Sequence, residues 1–225
     1  MELVTAIRGV LADHADPERA VGQQKYMKSA MPFRGVPMPE VRRLVGALVR
    51  AQPITERVLW ETAIRQLWDA AEFREERYAG LVVARHARHR RFATEISSLD
   101  LYRHLILTGQ WWDLCDETAT LVGVVLAAHP AEVTPVVRSW SREDNLWLRR
   151  VAIISQLDRK ADTDTALLAY AIAGSTHDSD FFARKGIGWA LRQYAKTDPD
   201  WVRAYVAKHP ELSGLSVREA LKHLG

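Results

Sequence analysis

Seven consecutive residues, Trp111-Trp112-Asp113-Leu114-Cys115-Asp116-Glu117, set two adjacent tryptophans beside three acids. On a helix Trp112 and Asp116 stand four apart and share a face, whereas Trp111 and Trp112 diverge by about 100°. A lone helical tryptophan usually packs into a core. Two that diverge do not easily face one core together, which leaves one of them for a cleft. An aromatic wall next to a carboxylate can hold a cation. A second cluster is Asp144-Asn145-Leu146-Trp147-Leu148-Arg149-Arg150, and a third is Phe181-Phe182-Ala183-Arg184-Lys185-Gly186-Ile187-Gly188-Trp189. In the third, Gly186 and Gly188 weaken a helix unless close packing or a ligand needs the space. Trp189 and Arg192 then border a groove, or Trp189 is simply a buried side chain.

Other chemistries find less support. Cys115 stands alone, which excludes a disulfide framework and a multi-cysteine zinc site; as a single helical cysteine it reads as buried rather than nucleophilic. The eight histidines include no HExxH, and His86 and His89, inside the basic run Arg85 to Arg91, read as a solvated face. There is no P-loop and no GxGxxG. No metal and no cofactor is indicated. The 225 residues, 26% charged and 48% hydrophobic, suit one globular domain or two small ones, and we expect a single domain over 1–225. The strongest apolar run, Leu121 to Ala128, is too short to cross a bilayer. The first sixteen residues include Glu2, Arg8 and Asp13, so they do not read as a signal peptide. The expectation is a soluble cytoplasmic protein without a membrane partner. A net charge of +3 neither supports nor excludes nucleic-acid binding, which depends on clustered cations.

The elements that must position these residues are helices. Trp60, Ala63, Ile64, Leu67 and Trp68 repeat at the spacing of one apolar helical face. Leu146, Arg150, Ile153, Ile154 and Leu157 do the same with one basic intruder. Asp16-Pro17, His129-Pro130, Asp198-Pro199 and His209-Pro210 read as helix starts, since proline lacks only an N–H that would be unpaired there. Ser216-Val217-Arg218-Glu219 has the form of a capping box before a last short helix. No sustained alternation and no hairpin turn appears, so the chain is all-α.

An internal period follows from six anchors, each a charged residue followed two later by a small or apolar one. Arg43, Arg77, Asp116, Arg150, Lys185 and Arg218 are separated by steps of 34, 39, 34, 35 and 33. Such a period is one helix pair per repeat, which predicts an α-solenoid of about six HEAT-like repeats. Equivalent positions in stacked repeats point the same way, so the anchors form one stripe, with Asp116 the acid among cations. A concave basic stripe could track phosphates. Equally, the arginines could bridge neighbouring repeats through carboxylates.

At these residues the sequence resembles the AlkD-like DNA alkylation repair enzymes, HEAT-like-repeat glycosylases that excise alkylated purines. The matching stretches are Lys25-Tyr26-Met27-Lys28, Trp68-Asp69, Trp111-Trp112-Asp113 with Asp116, Asp144 to Arg150, and Ile187-Gly188-Trp189-Ala190-Leu191-Arg192-Gln193-Tyr194-Ala195-Lys196-Thr197. The resemblance implies that Asp116 is the catalytic carboxylate, Trp112 and Trp189 the cleft tryptophans, Arg150 a cleft arginine near the DNA backbone and Tyr26 an N-terminal cleft tyrosine. Lys28, Arg43, Arg77, Lys185 and Arg192 join them as expected DNA contacts. What it implies overall is a monomeric, monofunctional glycosylase acting on N3- or N7-alkylated purines in double-stranded DNA. The competing expectation is a non-catalytic HEAT-like module that binds DNA or protein, for which Asp116 would be dispensable.

Overall fold

A computed structural model describes residues 2–224, and among these the chain is entirely helical. It divides into two compact units, one reaching to Glu95 and one starting at Ile96.

The first unit contains α1 (Glu2–Asp13), α2 (Pro17–Met27), α3 (Met38–Ala51), α4 (Arg57–Asp69), α5 (Arg74–Arg85) and the single turn α6 (Arg90–Ala93). The apolar face read from the sequence on α4 is its core: Trp60, Ala63, Ile64, Leu67 and Trp68 have no exposed surface. α5 packs on both α3 and α4, and α1 on α3. Two acids in the first turn of α5 are buried for a reason the pattern did not disclose. Glu75 accepts hydrogen bonds from three successive amides, Arg34, Gly35 and Val36, at 2.9–3.1 Å. Glu76 pairs with Arg8 Nε at 2.9 Å. Glu75 thus ties the segment after α2 to α5, and Glu76 ties α1 to it. Gly35 is required there, because its φ is +88° and a Cβ would sit 2.0 Å from the Asp16 carbonyl oxygen.

His89 corrects the reading of a solvated basic face. It is fully buried, with Nδ1 2.9 Å from the Val83 carbonyl and Nε2 accepting from the Ile54 amide at 3.2 Å. That pairing requires the neutral tautomer protonated on Nδ1. Burial and the neighbouring Arg91 hold its pKa below the ordinary histidine value. A basic run hides such a residue, because its partners are backbone groups outside the run.

The second unit contains α7 (Ser98–Gly109), α8 (Trp112–Ala128), α9 (Pro130–Trp140), α10 (Leu146–Ile154), α11 (Thr165–Ala173), α12 (Phe181–Tyr194), α13 (Pro199–Lys208) and α14 (Gly214–Ala220). α8, α10, α12 and α14 stack in succession, while α9 and α11 back them. This stacking of helix pairs is the α-solenoid arrangement. The six anchors fall on α3, α5, α8, α10, α12 and α14, one to a helix. The long step of 39 spans the extra short helices at Ala87–His89 and Arg90–Ala93.

Three of the four proline starts hold. Asp16 and Asp198 cap α2 and α13 by accepting from the amides of Arg19 and Trp201, and His129 precedes α9. His209-Pro210 instead forms a turn, closed by the Leu212 amide on the His209 carbonyl. The capping box is also displaced. Ser213, not Ser216, caps α14, accepting from the Ser216 amide at 3.1 Å. Ser216 is therefore inside the helix, where its hydroxyl donates to the Arg184 carbonyl of α12 at 2.9 Å. Glu219 is released from any capping duty.

Candidate active site

α8 starts at Trp112, with Trp111 in extended conformation just before it. That break sends the two tryptophans different ways. Trp111 packs against Trp147 and Phe182, with ring centroids 6.1 and 5.4 Å away, and Trp147 and Phe182 meet at 5.2 Å. Trp112 stays half-buried, one turn before Asp116. The divergence read from the sequence is present, with Trp111 as the packing residue.

Asn145 caps α10 by accepting from the amides of Trp147 and Leu148, which sets the helix that carries Arg149 and Arg150. Arg149 binds the loops around it: Nη1 donates to the carbonyls of Glu143 and Asp144 at 2.7 Å, and Nη2 pairs with Asp178 at 2.6 Å. Arg150 turns the other way. Its Nε and Nη2 each donate to one carboxylate oxygen of Asp116 at 2.8 Å, and Nη1 donates to the Phe182 carbonyl at 2.6 Å. The pair is bidentate, the geometry in which a guanidinium fixes a carboxylate most firmly. Arg150's side chain is only 5% exposed and Asp116's 15%. Its guanidinium also lies 5.9 Å from the Trp189 ring centre.

Burial raises the Asp116 pKa above the ordinary aspartate value, and the neighbouring acids Asp113 and Glu117 add to this, while Arg150 pulls against it. Cys115 beside it is buried, with its thiol pushed up to about 12 by desolvation, in keeping with an inert core cysteine.

Both glycines of α12 are explained by close packing. A Cβ at Gly186 would stand 3.2 Å from Arg150 Nη1, so the missing side chain makes room for the guanidinium. At Gly188 a Cβ would meet the Glu219 Cβ at 2.4 Å and the Ser216 carbonyl oxygen at 2.9 Å, so this glycine lets α14 dock. Trp189, between them and the next turn, is half-buried.

The structure therefore brings Trp112, Asp116, Arg150 and Trp189 onto three successive helices of one unit. Lys185 and Arg192, on the Trp189 helix, both pair with Glu219. Two of the stripe's cations, Arg150 and Lys185, thus meet carboxylates on the adjacent helix of the stack, the bridging arrangement considered above. Arg218 itself is exposed. Tyr26, Lys28, Arg43 and Arg77 belong to the first unit. Tyr26, at the end of α2, is 76% exposed, and Lys28 is exposed in the left-handed conformation that ends the helix. Arg43 pairs with Glu40 of its own helix, and Arg77 lies over the Trp68 ring at 5.1 Å. Phe182, whose carbonyl holds Arg150, and Glu219 appear in the sequence only as members of an aromatic cluster and a capping box, not as site residues. Glu219 was detectable, since it follows Lys185 by the same 34 residues that separate Arg150 from Asp116.

Stacked helix pairs around a largely buried Asp–Arg pair, with Trp189 near the arginine, describe a class before they describe a protein. The model of the DNA alkylation repair enzyme family matches residues 7–224. The chain belongs to that family. Among solved structures it is similar to a predicted DNA alkylation repair enzyme from Enterococcus faecalis, at 30% identity and a TM-score of 0.81, covering 94% of this chain and 97% of that one. It is also similar in fold to the Pseudomonas fluorescens alkylpurine DNA glycosylase AlkC bound to DNA containing an abasic site analog, at 16% identity and a TM-score of 0.50. That alignment covers 99% of this chain and 61% of the other. No protein of curated function matches the chain. Among the described residues, no helix is long and apolar enough to cross a membrane.

Proposed function

We propose that the protein is a monofunctional DNA glycosylase that hydrolyses the N-glycosidic bond of cationic N3- or N7-alkylated purines in double-stranded DNA. The observation that carries this reading is the Asp116 carboxylate, largely buried and fixed by Arg150, whose guanidinium also lies 5.9 Å from the Trp189 ring centre.

A purine alkylated at N3 or N7 is already positively charged. When its C1′–N bond breaks, the bonding pair leaves with the base and neutralises it, so no general acid is needed. The cost lies in the sugar, which becomes oxocarbenium-like. A preorganised carboxylate in a largely desolvated site stabilises that developing charge, and Asp116 has no reorganisation to undergo because Arg150 already orients it. Water positioned by Asp116 then adds at C1′ and passes its proton through the carboxylate to solvent. The faces of Trp112 and Trp189 supply cation–π and C–H contacts to the same sugar. Three of Arg150's five N–H donors are committed to Asp116 and Phe182, so its first duty in this reading is to orient the carboxylate. Tyr26, Lys28, Arg43, Arg77, Lys185 and Arg192 supply the contacts to the DNA backbone.

The test is release of free base from duplex DNA carrying 7-methylguanine or 3-methyladenine at saturating protein. Asp116→Asn is expected to lose about 10²–10³ in the single-turnover rate, the loss typical of a removed electrostatic stabiliser, and to keep duplex binding. An Asp116→Asn protein that excises at the wild-type rate would refute the assignment and favour the non-catalytic module.

A further inference from the structure

On α12, Lys185, Trp189 and Arg192 lie within about 60° of one another around the helix, and the two cations are about 10 Å apart along its axis. One carboxylate, Glu219 of α14, engages both. Its Oε1 is 2.7 Å from Lys185 Nζ, and its Oε2 accepts from Arg192 Nη1. The exposures of the three differ in a telling way. The Glu219 side chain is 14% exposed, Arg192 23% and Lys185 38%. The carboxylate sits behind the two cations, and the cations keep donors turned to solvent.

Glu219 is also fixed from behind. Its Cβ lies against Gly188, and α14 is held to α12 by the Ser216 hydroxyl on the Arg184 carbonyl. The Lys185 and Arg192 contacts hold its pKa below the ordinary glutamate value, so it stays ionised at neutral pH. An anion largely covered by two long flexible cations, and bonded to both, removes part of the entropy those side chains would otherwise lose on binding.

We propose that Glu219 is a positioning residue: it holds Lys185 and Arg192 on either side of Trp189 as a preformed clamp for DNA phosphates. The clamp carries one net positive charge and leaves two of the lysine's three donors and most of the arginine's five free. This rests on the reading of the chain as a duplex-binding glycosylase, but its test does not require excision.

The test is binding of a plain, undamaged duplex as a function of salt concentration, for wild type, Glu219→Gln, the pair Lys185→Met with Arg192→Met, and all three together. Circular dichroism verifies that each protein is folded at the assay temperature. Removing the two cations is expected to flatten the log–log salt slope by about two, one for each phosphate contact. Glu219→Gln, although it adds a positive charge overall, is expected to bind roughly tenfold more weakly and with a shallower slope. In the background lacking both cations it is expected to have no further effect. Equal or tighter binding by Glu219→Gln would overturn the proposal, as would an equal loss in both backgrounds, the mark of a structural role. A wild type that shows the clamp signature yet releases no base would sink the glycosylase reading and leave the clamp standing.

Discussion

Asp116 and Arg150 show how far one pair of side chains determines what a site can do. A buried carboxylate is held ionised only by what faces it, so Arg150→Met should strand an uncompensated charge. Loss of one partner of a buried pair costs about 3–5 kcal/mol, readable by urea denaturation. The pH dependence carries the sign. The Asp116 carboxyl titrates above 3.8 in the folded protein, and more so without Arg150. Protonation therefore favours the fold: Arg150→Met should regain stability as pH falls towards 3.8 and lose it as pH rises through the folded-state pKa. For the same reason the acidic limb of wild-type base release should lie above the ordinary aspartate range, and higher still in Arg150→Lys. At this scale the sequence was informative where chemistry is local. The i, i+4 relation of Trp112 and Asp116 needs nothing but helical geometry. The partner of Arg150 depends on how α8 and α10 are offset, which no local rule supplies. Glu219 shows the opposite failure, since a local motif, the capping box, claimed a residue whose real partners are on another helix.

At the scale of elements, helices are placed by what they lack as well as by what they carry. Alanine at Gly186 would gain helix propensity but press on Arg150 Nη1, which is already fixed at both ends. Gly186→Ala is expected to lower the excision rate while leaving the denaturation midpoint nearly unchanged. Gly188→Ala meets a Cβ and a backbone carbonyl that cannot yield, so it should cost about 1–3 kcal/mol of stability, as overpacking does. The glycines were visible in the sequence as anomalies in an otherwise helical stretch; what filled the space was not. In the first unit, α5 and its neighbours depend on His89 remaining neutral. Its folded pKa is depressed below 6.5, so the stability it supplies is full above that pH and drains away as pH falls below it. The wild-type urea midpoint should drop between pH 7.5 and 5.5, and the drop should shrink in His89→Gln.

Across the whole molecule, the period of 33 to 39 residues was the most legible feature, because it arises from chain length per helix pair rather than from any single contact. The stacking of pairs followed from it, and the all-α class from the helical spacing of apolar residues without strand alternation. The division at residues 95 and 96 did not, since helical periodicity continues on both sides of it. Binding and chemistry are expected to separate by residue. Substitutions at Lys28 or Arg43, in the first unit, should raise the protein concentration needed for half-maximal excision, with each lost phosphate contact flattening the salt slope by about one. Substitutions at Asp116, in the second, should act on the rate at saturation.

The bonds that join α8 to α10 and α12 to α14 also constrain how such a chain could lengthen over evolutionary time. A duplication inserted between residues 116 and 150, or between 185 and 219, would pull apart an acid and a base that answer each other one repeat apart. Between residues 77 and 116 the spacing already exceeds the common step by several residues. Relatives of different length should therefore differ in that stretch, while the distances from Asp116 to Arg150 and from Lys185 to Glu219 stay constant.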